Sequence, residues 1–83
     1  MKGGIILEQY VVDARIAGDH LRALRGSKSL DEVSSDTGIS RSALNMYELG
    51  SRTPRDPIKV ILANYYGKSV QDIFFKQEVT NSD

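Results

Sequence analysis

Apolar residues recur at helical spacing in the middle of the chain, and glycines divide them into segments. Residues 29–50, SLDEVSSDTGISRSALNMYELG, predict two short helices joined by a tight turn. Ser29 followed three residues later by Glu32 is a capping box, so a first helix should begin at Leu30. Gly38 should end it, because glycine readily takes the left-handed conformation found just past a helix end. The pattern predicts a helix-turn-helix motif.

The second helix of the motif has two different faces. Ser40 is its expected N-cap, and the helix should run from Arg41 to about Leu49 before Gly50. At about 100° per residue, an inward seam is formed by Ala43, Leu44 and Tyr47. The opposite face carries Arg41, Ser42, Asn45 and Met46. A guanidinium, a hydroxyl, a carboxamide and an apolar tip can all contact base edges, as is typical of a recognition helix in the major groove.

Segments on both sides of this motif predict three more helices. Apolar residues set among charged ones indicate an amphipathic helix over residues 13–25, which Gly26 should end. Asp56 followed by Pro57 is an N-cap followed by a first helical residue, and opens a fourth helix. Ser69 begins another capping pattern before a last short helix. The inward stripe of the fourth helix is expected to comprise Ile58, Ile61, Leu62 and Tyr65. We therefore expect an all-α fold, a compact five-helix bundle.

The two ends of the chain differ from this helical middle. Residues 1–12, MKGGIILEQYVV, are β-prone but show neither strict alternation nor a helical stripe. They predict either an extended N-terminal arm or strand that packs on a partner subunit, or a flexible lead-in. The C-terminal tail at 76–83, KQEVTNSD, is polar, and we expect it to fray. The helix-turn-helix domain is therefore assigned to residues 13–75, with the motif at 29–50.

Size and composition limit the classes of function. Eighty-three residues make one domain with a modest core, which a dimer interface would help to stabilise. The chain contains no cysteine and one histidine, His20, so we expect no disulfide and no metal site. The opening apolar run is too short for a signal peptide or a membrane span, which favours a cytoplasmic protein. The sequence offers no catalytic triad and no glycine-rich phosphate loop, so we expect neither an enzyme nor a cofactor.

Charge is distributed unevenly, although the formal net charge is zero. Residues 39–60 contain four basic and two acidic side chains, and a basic face of this kind binds phosphates with salt-sensitive affinity. The loop SRTPRDP follows the second motif helix and would pass beside the DNA backbone if that helix lies in the groove. Backbone contacts are expected from Ser40, Arg52, Thr53 and Arg55. The alternative for the two arginines is that they are ordinary exposed charges.

Three segments, in this order and spacing, resemble the Cro/repressor-type (XRE) helix-turn-helix family: LRALR at 21–25, GISRSALNMYELGSRTPR at 38–55 and GKSVQDIFF at 67–75. The resemblance runs from about Ala14 to Phe75 and implies the lambda-repressor-like fold. It also implies that Arg25 pairs with Glu48 and fixes the first helix against the recognition helix. The alternative for both residues is a solvated charged face. Many members carry a glutamine that contacts the DNA backbone at the start of the first motif helix, but Leu30 occupies that position here.

The sequence thus favours a sequence-specific DNA-binding transcriptional regulator, of the phage-type or mobile-element-type repressor class. We expect a homodimer on a two-fold symmetric operator of double-stranded DNA, with half-sites about one helical turn apart. One alternative is an antitoxin of this fold, which represses its own operon and holds a toxin through apolar residues at 5–12; an anti-repressor is another protein partner of the same kind. The second alternative is a protein-interaction module that does not bind DNA, which the zero net charge would fit.

Overall fold

The computed structural model describes residues 13–75, and all regular structure in this part of the chain is helical. The elements in chain order are α1 (Ala14–Arg25), α2 (Leu30–Thr37), α3 (Arg41–Leu49), α4 (Asp56–Tyr66) and a C-terminal π-helical turn (Gln71–Phe75). The predicted all-α fold with five helical elements is confirmed within this range, although the last element is a π-helical turn. The expectations for residues 1–12 and 76–83 lie outside the described residues.

Side-chain caps fix where α1, α2 and α3 begin. Ser29 Oγ accepts a hydrogen bond from the Glu32 amide at 3.0 Å. Ser40 Oγ accepts one from the Ala43 amide, also at 3.0 Å, and Asp13 caps α1 in the same way. Each cap satisfies an amide that the first turn of a helix leaves without an intrahelical partner. The two motif helices therefore start at the residues that the sequence predicts.

The fourth helix begins one residue earlier than predicted, and three of the four residues in its predicted inward stripe pack in or against the core. Asp56 is its first residue rather than its N-cap, and Asp56 Oδ1 lies 3.5 Å from Lys59 Nζ. A carboxylate in the first helical turn is favoured by the helix dipole, so Asp56 still stabilises the start of α4. Ile61 was expected in the core but is 39% exposed, because its neighbour Leu62 occupies the inward position. Lys59 is buried instead, with its ammonium 4.8 Å from the centroid of the Phe75 ring and its stem covering apolar surface.

The core lies where all five elements meet. Its buried apolar residues are Ala17, Leu21, Val33, Ile39, Leu44, Tyr47, Leu62, Ala63, Ile73 and Phe74. The most completely buried side chains, those of Val33, Leu62 and Ile73, come from α2, α4 and the C-terminal turn. His20 Nδ1 lies 2.9 Å from the Ile73 carbonyl oxygen, which joins α1 to that turn. α1 and α2 therefore pack directly against α3, whereas α4 packs on α2 and the C-terminal turn packs on α1.

α1 and α3 pack with their backbones close together. A Cβ at Gly18 would lie 2.7 Å from the Tyr47 carbonyl oxygen and would clash with that of Glu48 as well. Gly50, just past α3, has a φ of +76°, and a Cβ there would lie 2.8 Å from Arg15 Cα. Since real Cβ atoms do not come this close to such atoms, both positions require glycine. α1 therefore lies directly against α3.

Candidate nucleic-acid interface

α3 buries one face and exposes the other. Leu44 and Tyr47 lie in the hydrophobic core, and Ala43 is partly buried against it. The exposed face carries Arg41, Ser42, Asn45 and Met46. These side chains supply hydrogen-bond donors, acceptors and an apolar tip, which are the groups that contact base edges. The structure thus brings together, on one solvent-facing surface, the four residues whose chemistry suggested base reading.

The turn between α2 and α3 holds α3 in a fixed direction. Gly38 ends α2 with a φ of +80°, and Ile39 is buried in the angle between the helices. Thr37 Oγ1 donates to the Val33 carbonyl at 2.8 Å and accepts from the Ile39 amide at 3.1 Å. Ser40 uses its hydroxyl oxygen to cap α3, which leaves the hydroxyl hydrogen able to donate to a phosphate. Backbone and side-chain bonds together therefore set the angle between the motif helices.

The loop between α3 and α4 carries two arginines at the surface. Arg52, Thr53 and Arg55 are exposed, whereas Pro54 is buried. The amide and the hydroxyl of Ser51 both donate to a carbonyl in the last turn of α3, at 3.1 and 3.3 Å. The loop is thus anchored at its start and again at its proline. Its three polar side chains extend into solvent beyond the end of α3, where they can meet an anion.

Arg25 of α1 and Glu48 of α3 form a bidentate ion pair. Arg25 Nε and Nη2 donate to Glu48 Oε2 and Oε1 at 2.7 and 2.9 Å. Arg25 Nη1 also donates to the Lys28 carbonyl at 2.7 Å. The hydrogen bonds to Glu48 raise the pKa of Arg25 further above neutrality, and burial raises the pKa of the nearby Tyr66 to about 12. These two parallel hydrogen bonds hold α1 against α3.

Three further contacts could not be predicted from local sequence patterns. Arg41 Nε lies 2.9 Å from Asp31 Oδ1, at the start of α2. Tyr65 Oη donates to Asp36 Oδ2 at 2.6 Å, and Lys28 Nζ lies 5.4 Å from the centroid of the Tyr65 ring. Each contact links different helical elements or a helix to a loop, so no helical spacing signals it. Only the placement of α2 against α3 and α4 brings these side chains together.

Residues 13–75 offer less support for other kinds of site than for an interface on α3. Residues 13–75 contain no cluster of three or more His, Cys, Asp or Glu side chains that would hold a metal ion. No helix within the same range is long and apolar enough to span a membrane. An open cleft of about 300 Å³ is lined by α1 and the C-terminal segment, through His20, Ala23, Leu24, Lys68, Asp72 and Ile73. The exposed face of α3, with its adjoining loop, remains the candidate site.

The chain matches the family model HTH_3, described as helix-turn-helix, over residues 21–73. The match includes the whole of α2, α3 and α4, and begins within α1. No curated protein sequence matches the chain.

Solved structures of regulators resemble this fold. The S. venezulae BldD DNA-binding domain has a TM-score of 0.65 and 29% sequence identity, over 75% of this chain and 96% of that one. A crystal structure of the BldD DNA-binding domain gives the same TM-score and identity, over 93% of that chain. The SOS-response transcriptional repressor LexA from Eubacterium rectale has a TM-score of 0.72 over 86% of this chain and 78% of that one. Its 19% identity supports likeness of fold alone.

Proposed function

Because this chain belongs to the Cro/repressor-type (XRE) helix-turn-helix family, we propose that it is a transcriptional regulator that binds double-stranded DNA. The observation that carries the proposal is the exposed face of α3, whose opposite side is fixed in the core by Leu44 and Tyr47. A helix held in this way offers its polar face to the major groove. The BldD domains, described as DNA-binding, support the proposal through 29% identity over most of this chain.

We assign base reading to the exposed side chains of α3. Arg41 would donate to guanine O6 and N7, and Asn45 would pair with adenine through its carboxamide. Ser42 adds a hydroxyl, and Met46, which is 36% exposed, would pack on a thymine methyl. Contacts to the phosphate backbone are assigned to Ser40, Arg52, Thr53 and Arg55. In this division the backbone contacts set the register of the protein on the duplex, and α3 sets the sequence preference.

The reading surface of one chain favours a dimer on DNA. One α3 contacts only a few base pairs, and a genome offers very many competing sites. Two copies related by a two-fold axis would place their recognition helices about one helical turn apart on a symmetric operator. We therefore propose a cytoplasmic, homodimeric repressor, of the type found in phages and mobile elements. Equilibrium sedimentation of the protein with and without a symmetric operator duplex measures how many copies of the chain bind each duplex. A single copy per duplex would contradict the proposed dimer.

Base reading is tested by Asn45→Ala, with Arg52→Ala as its matched control. The wild-type chain first selects an operator from a random pool of duplexes. Fluorescence anisotropy then gives the Kd for this operator and for a random duplex at several salt concentrations. Asn45→Ala should weaken operator binding about 5- to 150-fold, since one bidentate base contact contributes about 1–3 kcal/mol. Arg52→Ala should weaken binding to both duplexes similarly and reduce the salt slope by about 0.9.

The same measurements distinguish the alternatives. If Asn45→Ala loses the same affinity for the operator as for random DNA, Asn45 does not read a base. A wild-type chain that binds no duplex even at low salt would overturn the DNA-binding proposal and favour a protein-interaction module. The antitoxin alternative relies on residues 5–12, outside the described part of the chain, and a stoichiometric toxin that purifies with the protein would favour it.

A further inference from the structure

One ion pair joins the two motif helices at their N-terminal ends. Asp31 is the second residue of α2, and Arg41 is the first residue of α3. Arg41 Nε lies 2.9 Å from Asp31 Oδ1. The side chains of Arg41 and Asp31 are 64% and 80% exposed, so the pair lies in solvent. The contact therefore links a proposed base-reading side chain to a helix other than its own.

This pair is poorly placed to stabilise the fold. Exposed ion pairs contribute little, because water and salt screen the two charges and both side chains lose conformational freedom. A carboxylate near bound DNA also repels phosphates and lowers affinity for every sequence. The property that separates Asp31 from other surface acids is its contact with Arg41.

The geometry of a guanidinium explains how such a contact can act on base reading. Arginine presents five N–H donors in a rigid, planar fork, more than the carboxylate of Asp31 can accept. Arg41 can therefore contact Asp31 through Nε and still donate to guanine O6 and N7. A long side chain that is already oriented loses less freedom when it binds. Holding Arg41 in one direction would thus favour one base over the others.

We propose that Asp31 is a positioning residue that orients the Arg41 guanidinium and thereby sets base specificity where Arg41 contacts DNA. This inference rests on the proposed DNA-binding function. It assigns a role in sequence discrimination to a side chain on α2, outside the recognition helix. The Asp31 carboxylate lowers general affinity for DNA, whereas its effect through Arg41 is on the choice of sequence.

The test compares Asp31→Asn with Glu32→Gln, and repeats Asp31→Asn in an Arg41→Ala background. Glu32 is the matched control because it is the next residue in the first turn of α2, is exposed, and lies 3.7 Å from Lys28 rather than beside Arg41. Both amide substitutions remove one negative charge and preserve side-chain shape. The probes are the operator selected by the wild-type chain, a duplex changed at the base pair where Arg41→Ala has its largest effect, and a random duplex.

Removing the Asp31 charge should reduce discrimination rather than general binding. Asp31→Asn should lower the preference for the selected base pair by up to about fivefold, since the orienting effect cannot exceed the small free energy of an exposed ion pair. Its affinity for random DNA should rise, and Glu32→Gln should raise that affinity similarly while leaving the preference unchanged. In the Arg41→Ala background, Asp31→Asn should no longer affect the preference, since the group that it positions is absent.

A measurement on the DNA-free protein tests the contact directly. The Nε–H group of Arg41 should be more ordered, with a higher ¹⁵N heteronuclear NOE, in the wild type than in Asp31→Asn, and Glu32→Gln should match the wild type. Equal order of this group in all three proteins would overturn the positioning role.

The outcomes for this inference and for DNA binding are separable. If Asp31→Asn and Glu32→Gln have the same preference for the selected base pair, Asp31 acts only as a surface charge and the inference is wrong, while the DNA-binding function stands. If the wild-type chain binds duplexes but selects no sequence from the pool, base reading fails and the specificity role of Asp31 fails with it. If the chain binds no duplex even at low salt, the DNA-binding function itself fails.

Discussion

Replacing Gly18 with alanine tests how closely α1 must approach the recognition helix. Gly18 lies in the middle of α1 and is buried against the last turn of α3. The substitution adds one methyl group at that contact, and alanine is otherwise the better helix former. Helix propensity and packing therefore predict opposite signs for the change in stability, so the sign of the result decides between them.

The structure determines how much stability the added methyl group costs through overpacking. The added Cβ would lie about 0.7 Å inside the 3.4 Å at which ordinary contact with the Tyr47 carbonyl oxygen begins. The opposing atoms are backbone atoms of a capped helix, so they cannot rotate away as a side chain would. Overpacking costs about 1–3 kcal/mol, and the backbone clash favours the upper limit. Alanine regains about 1 kcal/mol of helix propensity, which leaves a net loss of about 2 kcal/mol.

Urea unfolding followed by circular dichroism measures this loss, with Ala23→Gly as the control. Ala23 is exposed on the same helix, so its replacement by glycine reports helix propensity alone, at about 1 kcal/mol. A loss of about 2 kcal/mol for Gly18→Ala would also lower Tm by about 8–16 °C. At a temperature where both variants are folded, Gly18→Ala should weaken operator binding more than Ala23→Gly. A Gly18→Ala variant as stable as the wild type would refute the close approach of the two backbones.

Two other predictions concern α4. Leu62→Ala should lower the free energy of unfolding by about 2–5 kcal/mol because Leu62 is 1% exposed, whereas Ile61→Ala should cost less than about 1 kcal/mol, as urea unfolding would show. Equal losses of stability in Leu62→Ala and Ile61→Ala would contradict the observed inward face of α4. The pKa of Tyr66 is about 12 in the folded chain and about 10 when exposed, so the unfolded chain loses this proton first and stability should fall as pH rises from about 10 to 12. Unfolding measurements across that range should show a weaker pH dependence for Tyr66→Phe, and identical profiles would contradict the burial of its hydroxyl.

The boundaries of the motif helices could be predicted because local chemistry determines them. Ser29 and Ser40 bond to amides three residues away, and Gly38 and Gly50 take the left-handed conformation at the two helix ends. All these interactions lie within one turn of the residue that causes them. They therefore appear in the sequence as short patterns, whatever the rest of the fold does.

The inward face of α4 could be predicted only in part. Apolar residues occupy neighbouring positions on this helix, so helical spacing allows more than one inward stripe. The observed rotation buries Leu62 and Lys59 and exposes Ile61. Lysine at an inward position contradicts the simple polarity rule, and it is accommodated because Phe74 and Phe75 lie near its ammonium. Those rings come from the C-terminal turn, whose position only the folded structure provides.

The candidate interface, too, could be predicted only in part from the sequence. The exposed face of α3 follows from periodicity alone, because burial of Leu44 and Tyr47 determines which side chains remain outside. The direction of the Arg41 guanidinium does not follow from periodicity, since it depends on Asp31 at the start of another helix. Sequence patterns therefore identify which side chains of α3 are exposed, whereas tertiary contacts determine how those side chains are oriented.

Taken with the proposed function, this division has a consequence for transferring specificity between related domains. Contacts from other elements fix α3: Gly18 allows α1 to approach, Arg25 holds Glu48, and Asp31 contacts Arg41. Binding energy that would be lost in ordering a mobile helix or side chain is then available for discrimination between bases. A graft of the exposed α3 residues onto a relative without an acid at the Asp31 position would transfer the donors and acceptors but not the orientation of Arg41. Such a graft should bind the operator with reduced discrimination, and adding the acid should restore it.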